Sequence, residues 1–150
     1  MRPLILAALY VFIAALGTGC QATHTFATPD ASWKAHVGQL KHTNSKRTLI
    51  GEVVVQQRGT QEFQLDFLKG GSIPLISIRQ DGDVARAEGL LAGMGGHWQG
   101  TTATATHSLR PWLHLRERFA AAPPAAKTGH TSLPFNFEDG GQRFEFIFNR

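Results

Sequence analysis

The fold is decided by residues 48–83, which read TLIGEVVVQQRGTQEFQLDFLKGGSIPLISIRQDGD. Apolar and polar residues alternate along this stretch, most clearly at Phe63, Leu65 and Phe67. A period of two is typical of strands that bury one face. Glycine-containing turns interrupt the alternation at nearly regular spacing, and the strand pattern continues to residue 90. The stretch therefore predicts an antiparallel meander.

Further strands are predicted beyond the meander. Residues 97–104 have the composition of a fifth strand, with Trp98 as its main apolar side chain. At the end of the chain, Phe144, Phe146 and Phe148 occupy every second position after a glycine-containing turn. Their spacing places the three rings on one face. The sequence therefore predicts a terminal hairpin whose buried face is aromatic.

Two segments show helical spacing instead. After Asp30, a suitable N-cap residue, Trp33, Val37 and Leu40 recur at intervals of four and three. After Ser108, a second apolar stripe consists of Leu109, Trp112, Leu113 and Phe119. The predicted fold class is therefore α+β, a curved antiparallel β-sheet (meander plus C-terminal hairpin) packed on two amphipathic helices.

The large apolar side chains of these elements either fill a core or, if the sheet curves, line a ligand-binding pocket. The candidate lining residues are Phe63, Leu65, Phe67, Trp98, Trp112, Phe144 and Phe146. Between the meander and the fifth strand, Leu90, Leu91 and Met94 lie among four glycines. This loop either bends over one end of the core or projects into lipid or a partner, where methionine suits adaptable apolar contact.

The first twenty residues are typical of a secretory signal. Arg2 precedes an uncharged apolar stretch, residues 4–16, and small residues then lead to Cys20, the single cysteine of the chain. The stretch is too short for a typical transmembrane helix, which needs about 20 apolar residues. A lone cysteine cannot form a disulfide within the chain. The segment could also be a plain secretory signal with an incidental cysteine, or a membrane anchor that is not cleaved.

The segment Gly17-Thr18-Gly19-Cys20 resembles the lipobox of bacterial lipoproteins, although that family usually has Leu where this chain has Gly17. The resemblance implies cleavage before Cys20 and acylation of its thiol, which anchors the protein to a membrane. It divides the chain into a signal peptide (1–19), a lipidated tether (20–29) and a single α+β domain (30–150). Gln21, where an aspartate would signal retention at the inner membrane, implies the periplasmic face of the outer membrane.

The predicted order of tether, helix, meander, helix and hairpin behind a lipobox resembles the LolA/LolB-like superfamily, which includes the outer-membrane lipoprotein receptor. In that family a curved sheet plugged by helices surrounds an apolar cavity for the acyl chains of lipoproteins. The resemblance implies the same ligand class here. It also makes Leu90, Leu91 and Met94 the counterpart of the receptor's protruding apolar loop.

Motifs for catalysis are missing from the sequence. There is no G-x-S-x-G segment, no H-E-x-x-H pair and no glycine-rich phosphate loop. The formal net charge is +4, and basic residues form no stripe that would suggest nucleic acid as a partner. We therefore expect no enzyme activity, no metal and no cofactor. Two functions remain, a module that binds lipid or lipoprotein acyl chains, and a structural or assembly lipoprotein that docks a protein partner.

Overall fold

The computed structural model describes residues 24–121 and 134–149, and most of them belong to one antiparallel sheet. The strand order is β6-β5-β4-β3-β2-β1-β8-β7. The strands are β1 (Lys34–Thr43), β2 (Thr48–Arg58), β3 (Glu62–Lys69), β4 (Ile73–Asp81), β5 (Val84–Glu88), β6 (His97–Thr101), β7 (Pro134–Asp139) and β8 (Gln142–Phe148). A 3-10 turn, Thr102–Thr104, and one short helical segment follow β6; His114 divides the segment into α1 (Arg110–Leu113) and α2 (Leu115–Ala121).

The alternating strand directions give the sheet two distinct ends. At one end, called the turn end, lie the turns at residues 44–47, 70–72 and 140–141 and the loop at residues 89–96. The other end, called the tether end, contains the turns at residues 59–61 and 82–83. The chain enters strand β1 at this end. There Asp30 lies 3.9 Å from Arg58, the last residue of β2.

The first predicted helix is wrong, because residues 34–43 form strand β1. The helical interpretation used Val37, which is 49 % exposed on the outer face. The buried positions are instead Gly38, Leu40 and His42, a period of two that a count of apolar residues overlooks. Gly38 also permits close pairing with β8, because a Cβ there would collide with the backbone carbonyl of Ile147. Sheet pairing on both sides of β1 therefore overrides its helical spacing.

The sheet-plus-helix fold agrees with the coarser prediction, since the helical segment after β6 packs on the inner face of the sheet. Pro111 lies in its first turn, where a missing N–H does little harm. The segment begins at Arg110 behind Leu109, with no side-chain cap from the predicted Ser108. Trp112 and Phe119 then point into the core, where both are about 1 % exposed or less.

Contacts of Phe119 show that the sheet is strongly curved. Its ring lies 5.8 Å from that of Phe63 on β3 and 4.5 Å from that of Phe135 on β7, measured between centroids. Three strands separate β3 from β7 in the sheet order, so a flat sheet would hold them about 19 Å apart. One phenyl ring touches both because the sheet wraps around the helical segment.

Candidate functional site

The predicted ligand-lining side chains come together mainly as a packed cluster. Phe63, Leu65, Phe67, Trp112, Phe144 and Phe146 are each 1 % exposed or less. Trp112 packs edge-to-face on Phe144, with 4.8 Å between ring centroids, and stacks at 6.0 Å from Phe67. Trp98 is half-buried and packs against this core from β6. The cluster contributes to the folded core, and its role in ligand binding stays a prediction.

An open cleft of about 620 Å³ lies at the turn end, beside this cluster. Four separate segments line it, from the β1–β2 turn, the loop after β5, the approach to α1 and the β7–β8 turn. The lining combines basic side chains, Lys46 and Arg47, with the apolar side chains of Leu90 and Leu91. The lining residues are His42, Asn44, Ser45, Lys46, Arg47, Leu90, Leu91, Gly93, His107, Ser108, Trp112, Gly140, Gly141 and Gln142.

A short chain of hydrogen bonds organises the floor of the cleft. The Gln142 amide nitrogen donates to the backbone carbonyl of Ser108 at 2.8 Å. Its carbonyl oxygen, Oε1, lies 2.8 Å from Nε2 of His42, and an amide oxygen can only accept. His42 therefore carries its proton on Nε2 when it is neutral, and Nδ1 is an acceptor. That Nδ1 atom is buried and has no hydrogen-bond partner among the described residues.

Burial favours the uncharged form of the His42 imidazole. The ring is 1 % exposed and lies 4.7 Å from the Trp112 ring and 5.0 Å from the Phe144 ring, between centroids. Loss of hydration lowers its pKa below the usual value near 6.5, and the positive charge of Arg47 lowers it further. The hydrogen bond with Gln142 opposes these effects but does not reverse them. At neutral pH the His42 Nδ1 atom is therefore an acceptor without a partner among the described residues, and it presents almost no surface to the cleft.

The basic wall of the cleft has no acidic partner. Lys46 and Arg47 lie in a turn that Asn44 fixes, since its side-chain oxygen accepts from both backbone N–H groups at 2.9 and 3.0 Å. All 11 Asp and Glu residues of the chain fall within the described ranges, and none of them lines the cleft. Neither Lys46 nor Arg47 forms an ion pair with any of these acidic residues. Both cations are thus available to a bound anion.

The glycine-rich loop divides its three apolar side chains between core and solvent. Leu90 is 69 % exposed and Met94 is fully exposed, whereas Leu91 is half-buried and packs against the core. The backbone around them is held, because Gly89 N–H donates to the Gly96 carbonyl at 2.8 Å and Leu91 N–H to the Leu75 carbonyl at 2.9 Å. The loop is therefore an anchored projection with two apolar side chains at its surface.

The described part of the predicted tether lies against the outer face of the sheet. His24 contacts Asp81, the last residue of β4 at the tether end, at 3.1 Å. Residues 24–26 border a second cleft of about 500 Å³ on the outer face. Its central carboxylate, Asp66, is already bonded by Ser77 at 2.6 Å and Gln64 at 2.8 Å. Cys20 and the predicted signal peptide fall outside the described residues.

The polar floor of the turn-end cleft escaped the sequence analysis. His42 follows the last apolar residue of a predicted helix that the structure replaces with a strand, and Gln142 is a single polar residue beside a glycine turn. The one usable signal is that His42 continues the alternation of Gly38 and Leu40, which becomes visible once residues 34–43 are recognised as a strand.

Comparisons with known proteins do not assign a family. No protein-family model matches the chain, and a search of curated proteins finds no significant relative. In the described part of the chain, no helix has the length and hydropathy needed to cross a bilayer. The same residues contain no group of three His, Asp or Glu side chains arranged to hold a metal ion.

Proposed function

We propose that this protein is a lipid-anchored lipoprotein of the outer membrane, facing the periplasm, that binds the acyl chains of lipids or other lipoproteins at the turn end of its sheet. The observation that carries the proposal is the pair of exposed apolar side chains, Leu90 and Met94, on a glycine loop beside an open cleft. The chain acts as a binding module without a catalytic step.

The energetics of the loop support lipid contact. Full burial of a Leu or Met side chain contributes about 1.5–3 kcal/mol. Leu90 and Met94 make little of this contribution within the domain, because both are exposed. Gly93 and Gly95 have φ of 109° and 89°, a region that other residues rarely adopt, and they let the backbone turn tightly around Met94. Contact with acyl chains would cover both side chains without any loss of core packing.

The volume of the cleft is suited to a ligand. Small-molecule sites usually occupy about 300–1,000 Å³, and the turn-end cleft measures about 620 Å³. Leu91, which is half-buried, and Leu90, which is exposed on the projecting loop, supply apolar surface to its lining. The exposed side chains and the cleft thus form one continuous surface for an amphiphilic ligand.

Site-specific photo-crosslinking tests this proposal in the full chain. A photoreactive benzoylphenylalanine at Met94, introduced in a diderm bacterial host, should give adducts that contain acyl chains. The control is the same group at Val37, which is 49 % exposed on the outer face of β1. Acyl adducts at neither position, or equal yields at both, would contradict lipid binding at the turn end.

The anchor requires its own experiment. Mass spectrometry of the membrane fraction should find lipid on Cys20, and a sucrose gradient should place the protein with outer-membrane markers. Cys20→Ala should abolish the modification. A variant that is still membrane-bound and uncleaved, or a wild-type protein with inner-membrane markers, would contradict the anchor or its destination respectively.

A second candidate function, docking of a protein partner by a structural or assembly lipoprotein, has one specific observation in its favour. Val37, Ile50 and Ile147 are 49 %, 61 % and 52 % exposed on neighbouring strands of the outer face. A protein adduct obtained from Val37 but not from Met94 would favour this function over acyl-chain binding.

A further inference from the structure

We propose that the turn end of the sheet docks on the surface of an anionic phospholipid bilayer, with its exposed apolar side chains among the headgroups and its unpaired cations at the lipid phosphates. This inference rests on the proposed acyl-chain function and adds to it the surface from which the acyl chains come. Acyl-chain binding alone requires neither a negatively charged partner nor a membrane surface.

Exposed apolar side chains gather at the turn end. Ile73, which begins β4 directly after a turn, is 53 % exposed, and it joins the exposed Leu90 and Met94 of the loop. The loop is tied to the start of β4, because the Leu91 N–H donates to the Leu75 carbonyl. Three of the six large apolar side chains that are exposed in the described part of the chain therefore lie at this one end.

Unpaired cations lie beside these side chains. Lys69 is exposed and is the register partner of Ile73 across the β3–β4 hairpin. Lys46 and Arg47 are exposed in the β1–β2 turn and line the same cleft as Leu90. None of the three cations forms an ion pair with an Asp or Glu of the chain. Each is free to contribute to the attraction of an anionic bilayer.

Negative charge at the turn end is scarce and mostly paired. The turns and the loop contain no Asp or Glu. Glu88, at the end of β5, accepts a hydrogen bond from Arg86 at 2.7 Å. Asp139, before the last turn, lies 2.6 Å from Nδ1 of His114. Only Glu52, which approaches the β3–β4 turn from β2, is without an ion-pair partner there among the described residues. The three cations therefore outnumber the unpaired carboxylate.

The tether end has the opposite charge. Its two turns and the strand residues that flank them carry one cation, Arg58, against the carboxylates Glu62, Asp81 and Asp83. Residues 30–34, which lead into β1, add one charge of each sign. The sheet is thus polarised along its strands, positive at the turn end and negative at the tether end. Near an anionic bilayer this polarity favours the orientation in which the turn end faces the lipid.

The composition of the turn end favours a bilayer over a protein as its occupant. The apolar side chains project from two separate connections of the sheet. Two of the three cations are lysine, a residue that is depleted from protein–protein interfaces. A bilayer accepts apolar side chains and cations together, because its acyl chains lie directly beneath its phosphates, and its affinity rises with both.

The depth of the loop on vesicles tests the docking in the full chain. Dansylalanine replaces Met94, and its emission shift and its quenching by brominated acyl chains report immersion in lipid. The vesicles are pure phosphatidylcholine or equal parts of phosphatidylcholine and phosphatidylglycerol. Attachment through the predicted anchor is common to both, so only the depth of the probe reports docking. We expect strong quenching in the anionic vesicles and weak quenching in phosphatidylcholine. The same probe at Thr60, in a tether-end turn, should stay in water in both.

Two triple variants test the cations at equal net charge. The control removes exposed cations that lie outside the turns and loop of the turn end and that also form no ion pair with an Asp or Glu. The variants are Lys46→Gln, Arg47→Gln and Lys69→Gln for the test, and Lys34→Gln, Arg79→Gln and Arg118→Gln for the control. Each cation at an anionic surface favours binding about fivefold, so the test variant should lower the ratio of docked to undocked protein about 100-fold. The control should leave the depth of the probe unchanged. High salt should act like the test variant, because it screens exposed charges.

The outcomes separate the docking from the proposed function. Equal quenching in both kinds of vesicle, or equal effects of the two triple variants, would overturn the preference for an anionic bilayer while lipid contact stands. A probe that stays in water on both vesicles but responds to an added acylated peptide would overturn bilayer docking and leave acyl-chain binding in place. A probe that responds to neither vesicles nor peptide would mean that the proposed acyl-chain function fails together with the docking.

Discussion

The aromatic interior and the turn-end cleft lie on the same face of one sheet, yet they differ in how tightly their side chains pack and in whether their polar groups are paired. In the interior, the Phe137 and Phe144 rings stack at 4.5 Å, and Phe119 meets Phe146 edge-to-face at 5.3 Å. At the turn end, an open cleft of about 620 Å³ remains, and the buried His42 beside it has an Nδ1 atom with no hydrogen-bond partner among the described residues. The comparison indicates that the interior supplies stability and the turn end supplies binding.

The largest effect is expected where the interior is fullest. Phe146 has no exposed surface and touches rings from β7, β8 and α2. Truncation of a buried Phe to Ala destabilises a domain by about 3–5 kcal/mol. Phe146→Ala should therefore lower the midpoint of urea unfolding strongly. A midpoint within error of the wild type would contradict the assignment of the terminal hairpin to the core.

The parts of the fold that the sequence predicts best are those in which apolar residues repeat without interruption. The meander of β2 to β5 and the hairpin of β7 and β8 have regular alternation, and their inner faces are filled by Phe, Leu, Val and Ile. Strand β1 was assigned to a helix because its buried face is made of Gly38, Leu40 and His42. Only pairing with β2 and β8 makes this polar and small face a buried one.

The candidate site was much less predictable than the fold. Leu90 and Met94 could be identified by their composition, because apolar residues among glycines fit neither a strand nor a helix. The remainder of the cleft joins His42, Ser108 and Gln142, which are up to 100 positions apart in the chain. A single sequence contains no signal for such a contact, which depends on β8 pairing with β1 rather than with β6.

The second prediction concerns Gln142, which lies at the boundary between the aromatic interior and the turn-end cleft. Gln142→Ala removes the acceptor for His42 Nε2 and the donor for the Ser108 carbonyl. A buried polar group left unpaired costs about 1–3 kcal/mol, so we expect a loss of at least 2 kcal/mol in the free energy of unfolding. Gln57→Ala is the control, since Gln57 is equally buried at 7 % but forms no such pair of bonds within the described residues. Equal losses in both variants would contradict a specific role for Gln142.

The third prediction concerns the dependence of the free energy of unfolding on pH. Because burial lowers the pKa of His42 in the folded state, the unfolded chain binds the proton more readily below its pKa near 6.5. Stability should be constant above that pH and fall as the pH drops from about 6.5 toward the folded pKa. The slope from one histidine is at most about 1.4 kcal/mol per pH unit. His36, whose pKa is also lowered by burial, adds to the same trend. Urea unfolding at pH 7.5 and 5.5 should therefore show a smaller difference in His42→Phe than in the wild type, and an unchanged difference would remove His42 as the cause.

The smallest effect on stability is expected at the loop of residues 89–96. A change in the free energy of unfolding close to zero there would itself be informative. Leu90 and Met94 are exposed, and surface substitutions usually change the free energy of unfolding by less than about 0.5 kcal/mol. Leu90→Ser combined with Met94→Ser should thus leave the urea midpoint nearly unchanged while it weakens the binding of an acylated peptide. Leu91→Ser is the matched control, because Leu91 is half-buried against the core and its loss should cost about 1–2 kcal/mol. A double variant as unstable as Leu91→Ser would place the whole loop in the core. A stable double variant that still binds lipid normally would separate the loop from the binding site and leave the cleft to act alone.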